Sequence, residues 1–315
     1  MQKLGSFLAF SVLALFVVGV SSAIWGALIY ANMRLGRVVP WCVLALAAFL
    51  WSLWQYLGGR GWPRTTSTRR RLLLRANPVS RAAFSWSFLA GLLAILSLAG
   101  LWIVLFRLIP MRANAILPGR FSSSPLFTIA LIIGASLLAP IVEESTVRGY
   151  LQCTLERDFS PLTAVTLSSA VFAVAHVTQG LAPPKLLFYF LVGIAFGSLA
   201  WLNNSILPVI PVHIVGDLTF FFLIWPNDHG RSVIWQQGPD KWFWLHVAQM
   251  MGFAVASILA FREIRASTAI PLEPRARRDP KVAGRQGPDV DCAPGERKPQ
   301  SGVSANPGSA VQSGS

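Results

Sequence analysis

Residues 126–152 read LFTIALIIGASLLAPIVEESTVRGYLQ: seventeen uncharged residues, then two adjacent glutamates, then an arginine. A helix rises about 1.5 Å per residue, so about 20 apolar residues cross a bilayer core of about 30 Å. Leu126–Gln152 is therefore expected to be a membrane-spanning helix that carries charge inside it. Glu143 and Glu144 are also the first acids of the chain, because Met1–Val142 contains no Asp or Glu. A charged group within a bilayer is costly, faces a protein interior, and marks function.

The rest of the sequence agrees with that stretch. Hydrophobic residues make up 54% of the 315 and charged residues only 13%, against about 25% charged in a soluble domain. Seven further apolar runs are expected to span: Leu4–Tyr30, Val38–Leu57, Ala82–Ile109, Leu162–Gln179, Lys185–Leu202, Ile206–Trp225 and Trp242–Phe261. The fold class is an all-α, polytopic membrane helical bundle of about eight helices. Its first apolar run continues through Ile24–Tyr30, which favours an uncleaved helix over a signal segment. The formal net charge of +14 does not point to nucleic acid, since the bases sit in short loops rather than on one face. Those loops set an orientation instead. Arg60, Arg64, Arg69, Arg70, Arg71, Arg75 and Arg81 crowd one loop, which places it, and with eight spans both termini, in the cytoplasm. The chain divides into N-terminal helices with their basic loop (1–109), a central core (110–225), an outer loop with the last helix (226–265), and a tail (266–315). That tail holds 12 charged residues and 7 prolines and is expected to be disordered and cytoplasmic. Cys42, Cys153 and Cys292 lack metal-type spacing and read as packing residues.

Polar residues recur in two later spans: His176 in FAVAH (172–176), and His213 with Asp217 in PVHIVGD (211–217). Glu144 and Arg148 are four apart, as are Phe172 and His176, and His213 and Asp217, so each pair shares a helix face. Glu144 pairs with Arg148 along its own helix, leaving Glu143 to point elsewhere. Glu143 and His176 lie 16 and 17 residues on either side of Phe159, which gives them equal depth across a helical hairpin. His213 and Asp217 fall somewhat nearer the inner side, so the set converges in the inner half of the bilayer or near its middle. Two chemistries fit such a set. A carboxylate shielded from bulk water can take a proton from a water, while imidazoles orient that water or stabilise the oxyanion it creates. Equally, Glu143, His176, His213 and Asp217 are acceptable zinc ligands, and zinc would activate the water instead. A proton-coupled transporter, with Glu143 and the histidines as a relay, is the reading of another class.

The order Glu143-Glu144-x-x-x-Arg148, Phe172-x-x-x-His176, His213-x-x-x-Asp217, at membrane-span spacing, resembles the CPBP family of CAAX prenyl endopeptidases and bacteriocin-processing or bacteriocin-immunity (Abi) membrane proteins. The likeness covers about 100 residues, Leu126–Trp225. It implies an intramembrane endopeptidase acting on a membrane-associated protein or peptide. Glu143 is then the catalytic glutamate, His176 the histidine that helps activate water, and His213 with Asp217 the third motif. Phe172 is a supporting residue, and Glu144 with Arg148 a structural pair. The family's third motif ends in Asn or Asp; an ionised Asp217 cannot donate a hydrogen bond, which favours a histidine-orienting or metal-ligating role. The resemblance equally covers inactive relatives that serve as scaffolds or in immunity.

Overall fold

A computed structural model describes residues 2–35, 39–111, 125–177 and 180–268, all of it helical or irregular, with no strand among them. The helices are α1 (Gln2–Leu35), α2 (Trp41–Leu57), α3 (Ser67–Leu74), α4 (Arg81–Leu108), α5 (Pro125–Glu143), α6 (Cys153–Asp158), α7 (Pro161–Ala175), α8 (Pro183–Asn203), α9 (Val209–Thr219), α10 (Ile234–Gln237) and α11 (Lys241–Thr268). Among the described residues, six continuous helices are long and apolar enough to cross a membrane: Phe7–Leu35, Arg81–Leu108, Pro125–Asp158, Pro183–Asn203, Val209–Asp228 and Lys241–Thr268. The other two expected spans are shorter apolar helices, α2 with 17 residues and α7 with 15. The chain is thus a helical membrane bundle, in which six of the eight expected spans are full-length helices among the described residues. The fifth expected span was drawn too long: its helix stops at Ala175, and His176 is its C-terminal cap. The tail expected over 266–315 begins later, because 266–268 complete α11; the rest of that reading, 269–315, falls outside the described residues.

Local sequence explains where the helices start and stop. The Ser80 hydroxyl accepts from the Ala83 N–H and opens α4. Ser160 does the same for Thr163, with Pro161 at the first helical position of α7. Asn204, in the left-handed region at φ 45°, closes α8 and turns the chain toward α9.

The long helix of α5 and α6 is not regular. Pro140 lies inside α5 and removes a backbone donor. Four residues later the hydrogen-bond register widens, and Glu144–Gln152 form a π-helix. The Ser145 and Thr146 hydroxyls donate to the Ile141 and Val142 carbonyls at 2.6 and 2.7 Å, just where the register changes. Segments of π-helix are rare and concentrate at functional sites.

Two apolar clusters flank this segment. One joins Val147, Leu151 and Leu155 to Ala14 of α1 and to Ala164 and Phe172 of α7. The other gathers Ala90, Phe196, Leu199, Val209, Val212 and Ile264 from α4, α8, α9 and α11. Glycine permits the closest approaches. A Cβ on Gly149 would meet the Leu73 and Leu74 carbonyls at 3.0 and 2.9 Å, and one on Gly193 would meet Ser169 at 2.8 Å. Outward faces stay apolar, as with Leu126, Ile129, Ile133 and Leu137 along α5, the surface a helix presents to lipid. Cys42 is a free buried thiol. Cys153 is buried against Leu73, and Cys292 lies outside the described residues.

Candidate active site

A cavity of about 120 Å³ lies between α4, α5, α7, α8 and α9, and Glu143, His176, His213 and Asp217 all line it. The four chemically capable residues of the three sequence motifs therefore reach one space. Its remaining walls are apolar and largely aromatic, including Phe172, Phe188, Tyr189, Phe196 and Phe220. The lining starts at Phe196 and His213 and continues through Phe220 to Ile224, toward the 226–240 segment and away from the basic 58–81 segment. The short α7 ends at the site, with His176 as its C-terminal cap.

His213 is the best-defined member. Its Nδ1 donates to Glu144 Oε1 at 2.8 Å, since a carboxylate can only accept. That bond turns Nε2 toward the cavity, 3.6 Å from Asp217 Oδ1 and 3.9 Å from Glu143 Oε2. Both separations are beyond a direct hydrogen bond but close enough for strong electrostatic coupling. His213 is wedged against Phe196, with ring centroids 4.7 Å apart.

Glu144 serves two partners. Besides His213, Oε1 lies 3.2 Å from Arg148 Nη1, and both side chains are essentially buried. This is the pairing that the spacing predicted. Arg148 also stacks over the Phe172 ring at 4.2 Å and faces Phe196 at 5.6 Å. Phe172 thus lies among the charged groups, touching Arg148, His176 at 4.6 Å between centroids, and His213 at 6.2 Å. His176 donates from Nδ1 to the Phe172 carbonyl at 2.8 Å, which leaves its Nε2 for the cavity. Its ring stacks on Tyr189 at 4.1 Å.

Several polar atoms here remain without a hydrogen-bond partner although buried: Glu143 Oε2, Glu144 Oε2, and Arg148 Nη1 and Nη2. Arg148 keeps its ion pair, but the angles do not make a hydrogen bond. Such groups are exceptional in native proteins and mark places built for an occupant or a reaction. A zinc site finds no comparable support in this geometry: among the described residues no three His, Cys, Asp or Glu side chains form a group able to hold a metal ion.

Two features have no signature in the sequence. The Glu144–His213 bond joins helices 69 residues apart, a contact no local spacing reveals. Tyr189 and Phe196 stand on the same face of α8 as Val192, but α8 is apolar all round, so no pattern singled that face out. Outside the site, His246 bonds Gln249 of its own helix at 2.9 Å.

Comparison with known proteins adds one finding. Residues 125–219 match the family model described as type II CAAX prenyl endopeptidase Rce1-like. No curated protein and no solved structure matches the chain. The matched stretch is 95 of the 315 residues, and it contains Glu143, Glu144, Arg148, Phe172, His176, Tyr189, Phe196, His213 and Asp217.

Proposed function

We propose that this chain is an intramembrane endopeptidase that hydrolyses a peptide bond of a membrane-associated protein or peptide, with Glu143 and His176 activating the water. The observation that carries this reading is the convergence of Glu143, His176, His213 and Asp217 on one apolar cavity within the segment matched to the protease family.

The chemistry follows from who holds whom. Glu143 Oε2 has no protein partner and accepts a proton from water as that water attacks the scissile carbonyl carbon. His176, fixed through Nδ1 on the Phe172 carbonyl, orients the same water through Nε2. The carbonyl oxygen becomes an oxyanion, and the His213 imidazole, whose Nε2 faces the cavity, is the group assigned to stabilise it. Glu144 keeps that ring aligned and compensates its charge. Collapse of the tetrahedral species breaks the C–N bond as Glu143 returns its proton to the leaving amine. Asp217, unable to donate when ionised, holds His213 toward the cavity. General acid–base transfer of this kind is worth about 10²–10⁴ in rate.

The decisive experiment compares protein terminal peptides from membranes carrying the wild type with those carrying Glu143→Gln. New termini found only with the wild type support the reading, and identical sets overturn it. Chelators should leave the wild-type activity intact, and inactivation by them would replace the general-base mechanism with a metal-dependent one. Orientation in the cell membrane belongs to the same proposal. With both termini cytoplasmic, a reporter fused after Arg265 is active only in its cytoplasmic version, and one fused within 227–238 only in its external version. The opposite pattern inverts the topology.

A further inference from the structure

A second cleft, of about 370 Å³, opens at the other end of the bundle, within the range of about 300–1,000 Å³ typical of ligand sites. One wall is the stripe Phe10, Leu13 and Val17 of α1, and the opposite one includes Tyr150, Arg70 and Arg69. The α1 wall belongs to the membrane surface, since Leu13 is 47% exposed on a helix of lipid-spanning length. The cleft therefore runs from hydrocarbon up to a cationic rim.

Arg70 shows what that rim lacks. Its side chain is buried, with its guanidinium 4.1 Å from the Tyr56 ring centroid. Nη1 donates to the Tyr56 and Arg60 carbonyls, and Nη2 to those of Gly61 and Pro63. Four neutral carbonyls satisfy the four terminal protons but supply no negative charge. Nε is buried without a partner, and Arg70 makes no ion pair among the described residues. Buried charges are ordinarily paired. The surroundings add more positive charge: Arg69 is exposed beside it, and Arg157 is close enough to feel the charge of Arg69. Of the nearby acids, Glu156 is taken up by Arg75 and Asp158 lies by Arg157.

We infer that this cleft binds an anionic phospholipid, its phosphate against Arg69 and the Arg70 Nε–H, and one acyl chain along Phe10, Leu13 and Val17. An anion supplies the missing charge, and an acyl chain suits walls that are apolar and open sideways to the bilayer. The site is separate from the hydrolytic cavity and does not depend on the proposed protease reading.

The test is native mass spectrometry and thermal stability of the delipidated full chain, given phosphatidylglycerol or phosphatidylcholine of identical acyl chains. Phosphatidylglycerol should bind more tightly and raise the melting temperature. Arg69→Gln should weaken it about fivefold, the effect of one cationic contact at an anionic surface. Leu13→Trp, at an exposed position that keeps every charge, should fill the groove and weaken it as well. Arg64→Gln, an exposed arginine outside the cleft, should change nothing. Equal binding of the two lipids overturns the inference, as does full binding by Leu13→Trp or an equal loss in Arg64→Gln. Stabilisation by inorganic phosphate alone, matching that by the lipid, would mean that the site takes a free anion, and also overturns it.

Discussion

The helix from Pro125 to Asp158 carries two buried charge clusters, one at either end of its π-segment, and they are built in opposite ways. At the far end Arg75, fully buried, makes a bidentate pair with Glu156 at 2.9 Å through each nitrogen. Its Nε donates to Asn204, and Gln152 bonds both Glu156 and the Gly197 carbonyl. The Arg75 carbonyl in turn accepts from the Ile206 N–H. None of the side-chain nitrogens or oxygens of Arg75, Glu156 or Gln152 is left buried without a partner. At the near end Glu143, Glu144 and Arg148 all keep buried atoms unmatched, and a cavity opens beside them. The first cluster ties the basic segment to the α8–α9 turn. The second holds polar capacity in reserve, which costs stability and makes sense only where something else must bind or react. Burial and charge alone do not separate a structural site from a chemical one; the degree of saturation does.

The sharpest way to break this contrast is Glu143→Gln. The side chain keeps its size and loses only its ability to ionise, and it has no ion pair closer than the 3.9 Å approach to His213. Cleavage should fall by about 10²–10⁴ with detergent stability nearly unchanged. A rate near that of the wild type removes the general base from the mechanism.

Glu156→Gln and Glu144→Gln come next and should part company. Each strands a buried arginine, and removing one member of such a pair costs about 3–5 kcal/mol. In Glu156→Gln the loss should be of stability alone, with the cleavage rate per folded molecule retained. Glu144→Gln also removes the carboxylate that aligns His213, so its folded fraction should be slow as well. Calorimetry together with active-fraction kinetics separates the two. Full activity per folded Glu144→Gln molecule would reduce Glu144 to a structural partner of Arg148.

Much of this was legible beforehand, and the limits have physical causes. The apolar runs map one for one onto helices because period and length are written locally. The pairs at i,i+4 met as expected for the same reason: Glu144 with Arg148, Phe172 with His176, and His213 with Asp217. The π-segment was invisible, because a register shift changes which carbonyl accepts and leaves no periodic mark in nine residues. Arg70 and Arg75 read as two more orienting charges in a basic loop. Only the fold shows that Arg75 takes a left-handed φ of 58° and plugs into Glu156, and that Arg70 holds four carbonyls. Contacts between distant helices, Glu144 with His213 above all, are tertiary and have no local signature.

Phe172→Leu probes the near cluster more gently. The ring lies under the Arg148 guanidinium and against both imidazoles, and leucine leaves a similar volume without the π face. Losing a desolvated cation–π contact costs about 2 kcal/mol. Stability should drop by about that amount, and kcat should fall while KM stays close to the wild-type value, because the imidazoles lose their support and the cavity walls remain. An unchanged kcat would limit Phe172 to packing.

The smallest effect belongs to an exposed charge at the edge of the bundle, which serves as a reference for both buried clusters. Asp240 accepts from the Phe243 N–H at 2.8 Å and lies 3.3 Å from Arg107 Nη1. These bonds, the backbone one first, hold its carboxyl below the ordinary aspartate value of 3.8. A group depressed on folding contributes stability that is complete above its unfolded value and is lost as pH falls through the folded one. Asp240→Asn keeps the shape and removes the charge, so its melting temperature should lie slightly below that of the wild type at neutral pH. The gap should close below pH 3.8, where the wild-type carboxyl also becomes neutral, and it should shrink in high salt because the pair is open to water. A gap that persists in acid would mean that shape, not charge, holds the start of α11. Neither buried cluster should share the salt dependence, since water and ions do not reach Arg75 or Arg148, at 0% and 1% exposure. A salt response in Glu156→Gln as large as that in Asp240→Asn would show that the far cluster is less sealed than its saturated bonding requires.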